Sequence, residues 1–261
     1  MKVNLGTGAQ NSHDWERVLA GDFSTPPATP DYKCVQAALA IGDLAEPLGF
    51  DGIWFPEHCG TPYGMTPNPI QALTYFAGRT ERVGLGTFVA VAPWWNPVRL
   101  AHQIAYLDIV SKGRYNTIGI GRGVSKSEFD AVGVPREESR ERFNECLDIL
   151  QLAFSGERFS YDGEIFSFPE MSLRPEREPD MDGPAISACI RDTSSPVRQA
   201  RHPVARRVWR ETLSTCRWFQ AGDAARIPAF DSGSRRQSVP ARTGPRHSVV
   251  RSDSGSNPEC E

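Results

Sequence analysis

The sequence predicts an α/β protein of the eight-stranded β/α barrel type, of which only the first half is recognisable. Short apolar strands alternate with amphipathic helices over about the first 155 residues, and the links between them are short. This order implies parallel strands joined by right-handed crossovers. About four strand–helix units plus a β-hairpin fit in that length, whereas a whole barrel needs about 250 residues. A doubly wound open sheet is the alternative that the pattern alone leaves open.

The strands are predicted from short runs of β-branched, aromatic and other apolar residues. Four of them are expected in the barrel, at 3–5, 52–55, 82–93 and 114–123. Two alternating runs within 158–168 predict a hairpin joined at Asp162-Gly163, a dipeptide common in tight turns. The carboxyl ends of the parallel strands are where this architecture collects functional residues.

The helices are predicted from apolar residues spaced three and four apart. Asp31 is a candidate N-cap of the first, Pro69 lies near the start of the second, and Gly113 closes the third. The four helices are expected at 31–50, 68–80, 96–113 and 135–154.

The composition changes sharply near residue 180. Residues 1–180 hold 16 Lys or Arg against 24 Asp or Glu, a net charge of −8, whereas residues 181–261 hold 13 against 8, a net charge of +5. All 13 of the later cations are arginine, and only 12 of the last 81 residues are Leu, Ile, Val or Phe. That fraction is below the level of about 20 % under which chains tend not to fold. We therefore divide the chain into a barrel domain, 1–178, and a tail, 179–261, that we interpret as frameshifted or disordered; an evolved basic tail is the alternative.

The bulk properties exclude several classes of function. A net charge of −3 argues against a general nucleic-acid binder, and the absence of an apolar run of about 18 residues argues against a membrane protein. The N-terminus has no feature of a signal peptide. Six cysteines without C-x-x-C spacing favour free thiols in a reducing compartment over disulfides or a metal site. We expect a cytoplasmic protein without a metal.

The second predicted strand ends in a proline, a carboxylate and a histidine, in the stretch "GIWFPEH". His58 is a candidate general base, and the neighbouring Glu57 is a candidate for fixing its tautomer. The alternative is that His58 only caps the strand and hydrogen-bonds a loop.

Two further strand ends carry candidate binding residues. The fourth ends in "GIGRG", where glycines allow a ligand to approach the backbone and Arg122 can clamp an anion. After the third strand, Trp94 and Trp95 either wall an apolar pocket or pack beneath the following helix.

Taken together, these segments resemble a known family. They are "GFDGIWFPEHCGTPYG", "VGLGTFVAVAPWWNPVRLAHQIAYLDIVSKGRYNTIGIGRG", "ERFNECLDIL" and "GEIFSFPEMSLRP". In order and spacing they are similar to the bacterial-luciferase-like, flavin-dependent monooxygenases, over about residues 1–175. The resemblance implies an eight-fold barrel that binds reduced flavin mononucleotide (FMN), or a deazaflavin in related branches, at the carboxyl ends of its strands.

The resemblance also assigns roles to residues. It makes His58 the catalytic base with Glu57 holding it, and it places Cys59 where the family usually has a second histidine. It implies a non-prolyl cis peptide bond between Phe88 and Val89 on the third strand. The cofactor contacts that it implies are Thr87, Phe88, Val89, Gly121, Arg122 and Gly123, and Trp94 and Trp95 would line the substrate pocket and exclude water.

The resemblance implies a monooxygenase that uses reduced flavin and O2 to oxidise a small organic substrate. It further implies a separate flavin reductase as a partner and a homodimeric assembly. Three alternatives remain: a truncated half-barrel remnant without catalysis, a deazaflavin-dependent oxidoreductase, and a protein that only binds flavin.

Overall fold

The computed structural model describes residues 2–155, residues 158–176 and the backbone of residues 185–189. The predicted boundary at 178 and the rest of the tail lie outside the described residues. Within the part that is described, no helix is long and apolar enough to cross a membrane.

Five parallel strands form one sheet, in the order β1-β2-β3-β4-β7. The first four follow one another in space as they do in sequence, as neighbouring strands of a β/α barrel do. Their bounds are β1 Asn4–Gly6, β2 Gly52–Phe55, β3 Gly84–Val91, β4 Tyr115–Gly121 and β7 Ala185–Cys189. The four strands predicted from the sequence are thus present, and the sheet corresponds to a partial barrel.

Helices connect the strands as expected, and two short ones were not predicted. The helices are α1 Trp15–Leu19, α2 Asp31–Asp43, α3 Pro69–Ala77, α4 Pro97–Val110, α5 Lys126–Val132 and α6 Ser139–Ala153. The short α1 and α5 lie in the loops after β1 and β4. Such loops meet at the carboxyl edge of a parallel sheet, so both helices lie on the side where a site is expected.

The strand β7 was missed by the sequence analysis. Its residues Ala185–Cys189 pair in parallel with Thr117–Gly121 of β4. The segment "AISAC" is short and has only one β-branched residue, Ile186, and it follows a stretch without helical periodicity. Its pairing partner therefore identifies it as a strand, because its local pattern does not.

The hairpin is present, but its turn differs from the prediction. Strands β5, Phe159–Asp162, and β6, Ser167–Met171, are antiparallel. They are joined by the four residues 163–166 rather than by a two-residue turn at Asp162-Gly163. The buried carboxylate of Glu145 on α6 accepts the N–H groups of the last three residues of this loop, Glu164, Ile165 and Phe166. This distant carboxylate explains why the local dipeptide did not decide the turn.

The hydrophobic core lies between the outer face of the sheet and helices α3, α4 and α6. Fully buried side chains from the strands meet fully buried side chains from the helices, among them Ile53, Leu85, Ile118, Leu73, Leu100, Ile104 and Ile149. This layer holds the strands in place and leaves their carboxyl ends to carry polar groups.

Helix α2 approaches α3 closely at Gly42. A Cβ atom built at Gly42 would overlap the ring of Phe76, which is fully buried and stacks on Phe55 at 5.6 Å between ring centroids. The ring is held by the core, so it cannot move aside at little cost.

Replacing Gly42 by Ala should therefore lower the free energy of unfolding by about 1–3 kcal/mol, because the added methyl group overpacks a filled site. Urea denaturation of the full chain measures this. Gly78→Ala is the control, since a Cβ there meets no atom closer than 3.9 Å. Equal stabilities of the two variants would contradict this account of the α2–α3 contact.

Candidate active site at the carboxyl ends of the strands

The chain leaves β2 through Pro56, Glu57 and His58, which lie at the carboxyl edge of the sheet. The N–H of His58 donates to the carbonyl oxygen of Thr66 at 3.1 Å, so this segment is fixed against the far side of its own loop. Glu57 is 4 % exposed, whereas 25 % of the His58 side chain is exposed. The two neighbours therefore meet different surroundings.

Glu57 contacts the next strand and not the histidine beside it. Its Oε2 accepts the backbone N–H of Val91 at 2.6 Å and the indole Nε1–H of Trp95 at 2.9 Å. The expectation that Glu57 holds His58 was wrong. Adjacent residues of an extended segment point to opposite sides, so Glu57 turns towards β3 while His58 turns away from it.

Burial raises the pKa of Glu57 to about 7. The hydrogen bonds from Trp95 and Val91 favour the ionised form and oppose this shift, while the negative charge of Glu128 adds to it. Desolvation dominates because a buried carboxylate loses the solvation of its charge.

The carboxylate that contacts His58 is Glu128, on the short helix α5 after β4. The Nδ1 atom of His58 lies 2.8 Å from Oε1 of Glu128, which is 5 % exposed. An ionised carboxylate only accepts hydrogen bonds, so Nδ1 carries the proton in this contact. In the neutral ring Nε2 is then an acceptor, and it has no hydrogen-bond partner among the described residues.

Two further contacts fix the imidazole ring of His58. The ring of Tyr63 meets it edge-on, with the centroids 4.7 Å apart and the planes at 77°. Gly64 has a φ of 60°, and a Cβ atom there would lie 2.5 Å from Cδ2 of His58. Glycine is therefore required at 64 both by the backbone conformation and by the closeness of the ring.

Cys59 is not an activated thiol. Its N–H donates to Oε1 of Glu128 at 3.3 Å, and its sulfur is partly buried. Burial raises the pKa of the thiol to about 11, and the charges of Glu57 and Glu128 add to this shift. The thiol is thus protonated near neutral pH and is a poor nucleophile.

The upper part of β3 bulges against β4. Thr87 pairs with Ile118 and Ala90 with Ile120, so Phe88 and Val89 together face the single residue Gly119. The Phe88–Val89 peptide bond is cis, as the resemblance implied. Both bulged residues are half-buried, while the residues on either side of them are buried.

The glycines at the end of β4 are explained by this bulge. A Cβ at Gly119 would overlap the carbonyl oxygen of Thr87, and one at Gly121 would overlap the side chain of Val89. At Gly123, where φ is 78°, a Cβ would press on Val91 and Phe129. These glycines are needed for packing whether or not a ligand lies there, so cofactor contacts at Gly121 and Gly123 stay predictions.

The expected cofactor contact of Thr87 stays a prediction, and the side chain of Thr87 is engaged within the sheet. It is fully buried, and its hydroxyl donates to the carbonyl oxygen of Gly119 at 2.9 Å. Its side chain therefore ties β3 to β4. The half-buried Phe88 and Val89 remain the candidate contacts on this strand.

Arg122 follows β4 directly and is half-buried. Its Nη1 donates to the hydroxyl of Ser139 at 3.2 Å, which fixes the guanidinium beside the start of α6. A guanidinium has five N–H donors, and the hydrogen bond to Ser139 uses one of them. The group can therefore bind an anion without losing its anchor.

The two tryptophans after β3 have separate environments. Trp95 donates to Glu57 and packs against the core. Trp94 meets the buried Phe129 edge-on at 5.6 Å, and its Nε1 is shielded from solvent without a partner among the described residues. Of the two, Trp94 is the better candidate for a pocket wall.

The sequence thus indicates His58, Glu57 and Arg122 as site residues, but it does not indicate Glu128 or the segment Tyr63–Gly64. Glu128 is 70 positions from His58 and has no local signal other than its place in the loop after a strand. Because parallel strands end at one edge, a carboxylate after β4 was a candidate partner for a histidine after β2.

The donors and the acceptor at this edge suit a flavin. The guanidinium of Arg122 suits a phosphate or a ring carbonyl, the Nε2 of His58 is an open acceptor, and the Nε1 of Trp94 is a donor without a partner among the described residues. No group of three or more His, Cys, Asp or Glu that could hold a metal occurs in the described part of the chain.

The chain belongs to the luciferase-like monooxygenase family. The family model matches residues 19–202. The α chain of alkanal monooxygenase from the Kryptophanaron alfredi symbiont is 31 % identical over 150 residues, 58 % of this chain and 42 % of that protein. The oxygenase component of the flavin-dependent trigonelline monooxygenase of Acinetobacter baylyi is 31 % identical over 161 residues, 60 % of this chain and 43 % of that protein. The chain thus spans less than half the length of these relatives.

Solved structures agree on the fold. Monooxygenase RslO1 of Streptomyces bottropensis superimposes with a TM-score of 0.59 and 27 % identity, over 72 % of this chain and 53 % of that one. An FMN complex of the oxygenating constituent of 3,6-diketocamphane monooxygenase from Pseudomonas putida has a TM-score of 0.55 at 19 % identity. The match covers 72 % of this chain and 51 % of that one. An F420-dependent secondary alcohol dehydrogenase has a TM-score of 0.54 at 17 % identity, over 72 % of this chain and 52 % of that one. The fold is therefore shared by proteins with different flavins.

The raised pKa of Glu57 predicts a specific pH dependence of stability. Between pH 4.5, the ordinary pKa, and about 7, the unfolded chain has released this proton while the folded chain retains it. The free energy of unfolding should therefore decrease as the pH rises through this window, by about 3 kcal/mol at most from this group. Glu57→Gln removes the titration and should remove that part of the slope in urea denaturation.

Trp95→Phe provides the second arm, because it removes a hydrogen bond that favours the ionised carboxylate. In this variant the free energy of unfolding should continue to decrease with rising pH above pH 7. Identical slopes for the wild type and Glu57→Gln would contradict a buried, protonated Glu57.

Proposed function

We propose that this chain is a flavin-dependent monooxygenase that oxidises a small organic substrate with reduced FMN and O2. The observation that carries the proposal is the His58–Glu128 pair, which leaves an imidazole acceptor at the carboxyl edge of the sheet. The anchored Arg122 follows β4 at the same edge. When bound, reduced flavin supplies the electrons with which O2 is activated. The reduced cofactor would come from a separate reductase, since one relative is named an oxygenase component.

The protein groups have distinct tasks in this proposal. Glu128 holds the Nδ1–H of His58, so Nε2 takes a proton from the substrate and returns it later. A carboxylate in this position also stabilises the imidazolium that forms when Nε2 is protonated. Tyr63 and Gly64 prevent the ring from rotating away from this orientation.

Arg122 would bind the anionic part of the cofactor, and the half-buried Phe88 and Val89 would offer an apolar surface to its planar ring. Trp94, supported by Phe129, covers one side and excludes water. Exclusion of water favours transfer of oxygen to the substrate over its loss to solvent.

A deazaflavin is the second candidate cofactor. It is supported by the structural similarity to the F420-dependent alcohol dehydrogenase. The residues at this edge suit either cofactor, because both present a planar ring and an anionic chain to the same donors.

The proposal predicts that the full chain binds reduced FMN and that Arg122→Gln weakens binding about tenfold or more, since a charged hydrogen bond is lost. Anaerobic titration followed by flavin absorbance measures the dissociation constant. Arg99→Gln, a change of an exposed arginine on the outer helix α4, is the control.

Oxygen uptake after mixing with air then tests activity, and a parallel titration with a deazaflavin distinguishes the cofactors. If neither cofactor binds, or if Arg99→Gln and Arg122→Gln weaken binding equally, the proposed function is wrong for this chain.

A further inference from the structure

Two exposed aromatic residues form a chain of ring contacts that ends at His58: Tyr63, which in the proposed function only orients the imidazole, and Trp15, which has no task there. Trp15 and Tyr63 are 40 % and 47 % exposed. The ring centroids of Trp15 and Tyr63 are 6.2 Å apart at an interplanar angle of 59°, and Tyr63 in turn contacts the imidazole of His58. We refer to Trp15, Tyr63 and His58 as the aromatic corner.

Hydrogen bonds of the buried Asn11 fix the two loops that carry Trp15 and Tyr63. Trp15 begins the short helix α1 in the loop after β1, and Asn11 in this loop donates its N–H to the carbonyl oxygen of Pro62 at 2.9 Å. The amide nitrogen of the Asn11 side chain, a residue only 1 % exposed, also donates to Thr29 and Asp31, at 2.8 Å each. The loops after β1 and β2 are thus joined, and the two rings are presented at fixed positions.

The chemistry of the corner favours a particular kind of ligand. Exposed faces of tryptophan and tyrosine attract planar rings, by offset or edge contacts that add to the burial of apolar surface. Nε2 of His58, which has no partner among the described residues, is available to accept a hydrogen bond at the same corner. A ligand that uses both is a planar ring with an O–H or N–H group on its edge.

We propose that the aromatic corner is the substrate subsite, and that the substrate is a planar aromatic or heteroaromatic ring whose O–H or N–H donates to Nε2 of His58. The proposal rests on the proposed function for the role of His58. It sets this chain apart from an enzyme for straight-chain aldehydes, because a flexible chain would gain little from two rigid ring faces.

Binding of two matched probes to the full chain tests this. Phenol and cyclohexanol each carry one hydroxyl on a six-membered ring, but only phenol is planar and aromatic. Saturation-transfer NMR titration should show phenol binding about fivefold tighter than cyclohexanol, by the aromatic contribution. Trp15→Leu and Tyr63→Leu should each weaken phenol about fivefold, since each removes one ring face.

Two further variants control for side effects. Tyr63→Phe keeps the ring and should retain phenol binding. Tyr106→Leu removes a tyrosine that is 57 % exposed on the outer helix α4, and it should have no effect. Circular dichroism of each variant verifies that it is folded.

Equal binding of phenol and cyclohexanol, or equal loss in Tyr63→Leu and Tyr106→Leu, would overturn the inference. Displacement of phenol by FMN would also overturn it, because the corner would then belong to the cofactor. These readouts measure binding of the probe and not turnover. Failure here with intact FMN binding therefore refutes the substrate class alone, whereas failure of FMN binding refutes the proposed function.

Discussion

The site depends on one buried contact, in which a single oxygen of Glu57 accepts hydrogen bonds from Val91 and Trp95. This contact joins the carboxyl end of β2 to the turn that follows β3. It keeps the backbone at Glu57 in a conformation that directs the next residue, His58, away from the sheet. The cost of burying the carboxyl group is reduced because its pKa rises to about 7 and the group is partly protonated.

The parallel sheet then brings the remaining groups together. His58 comes from the loop after β2 and Glu128 from the helix after β4, and the strand between them bulges at Phe88–Val89. The bulge is accommodated because Gly119 and Gly121 on β4 have no side chain. One feature of β4 therefore serves both the packing of the sheet and the position of the loop that carries Arg122 and Glu128.

Much of the fold could be predicted from the sequence, because the strands and long helices have clear periodicity and recognisable ends. The strand β7 could not, since its identity depends on pairing with β4 rather than on its own residues. The same limit applied to the hairpin turn, where Glu145 from α6 decides the shape of the loop. Both were decided by contacts distant in sequence.

In the candidate site, too, some features could be predicted from local sequence and others depend on contacts distant in sequence. His58 and Arg122 could be found because they lie at the ends of predicted strands, and the cis bond at Phe88–Val89 followed from the resemblance. The hydrogen-bond partner of His58 could not be predicted, because it is not the adjacent carboxylate Glu57. The direction of a side chain depends on the backbone conformation at each residue, and here it separates Glu57 from His58 and brings Glu128 to it.

Glu128 holds the proton of His58 on Nδ1 and leaves Nε2 as the acceptor. Long-range ¹H–¹⁵N NMR of the full chain, with the His58 signals assigned by a His58→Gln variant, measures the tautomer directly. We expect protonated Nδ1 and unprotonated Nε2 in the neutral ring. This preference should be lost in Glu128→Ala but not in Asp130→Asn, which changes an exposed carboxylate on the same helix. A neutral ring protonated on Nε2, or a tautomer unchanged in Glu128→Ala, would contradict the account.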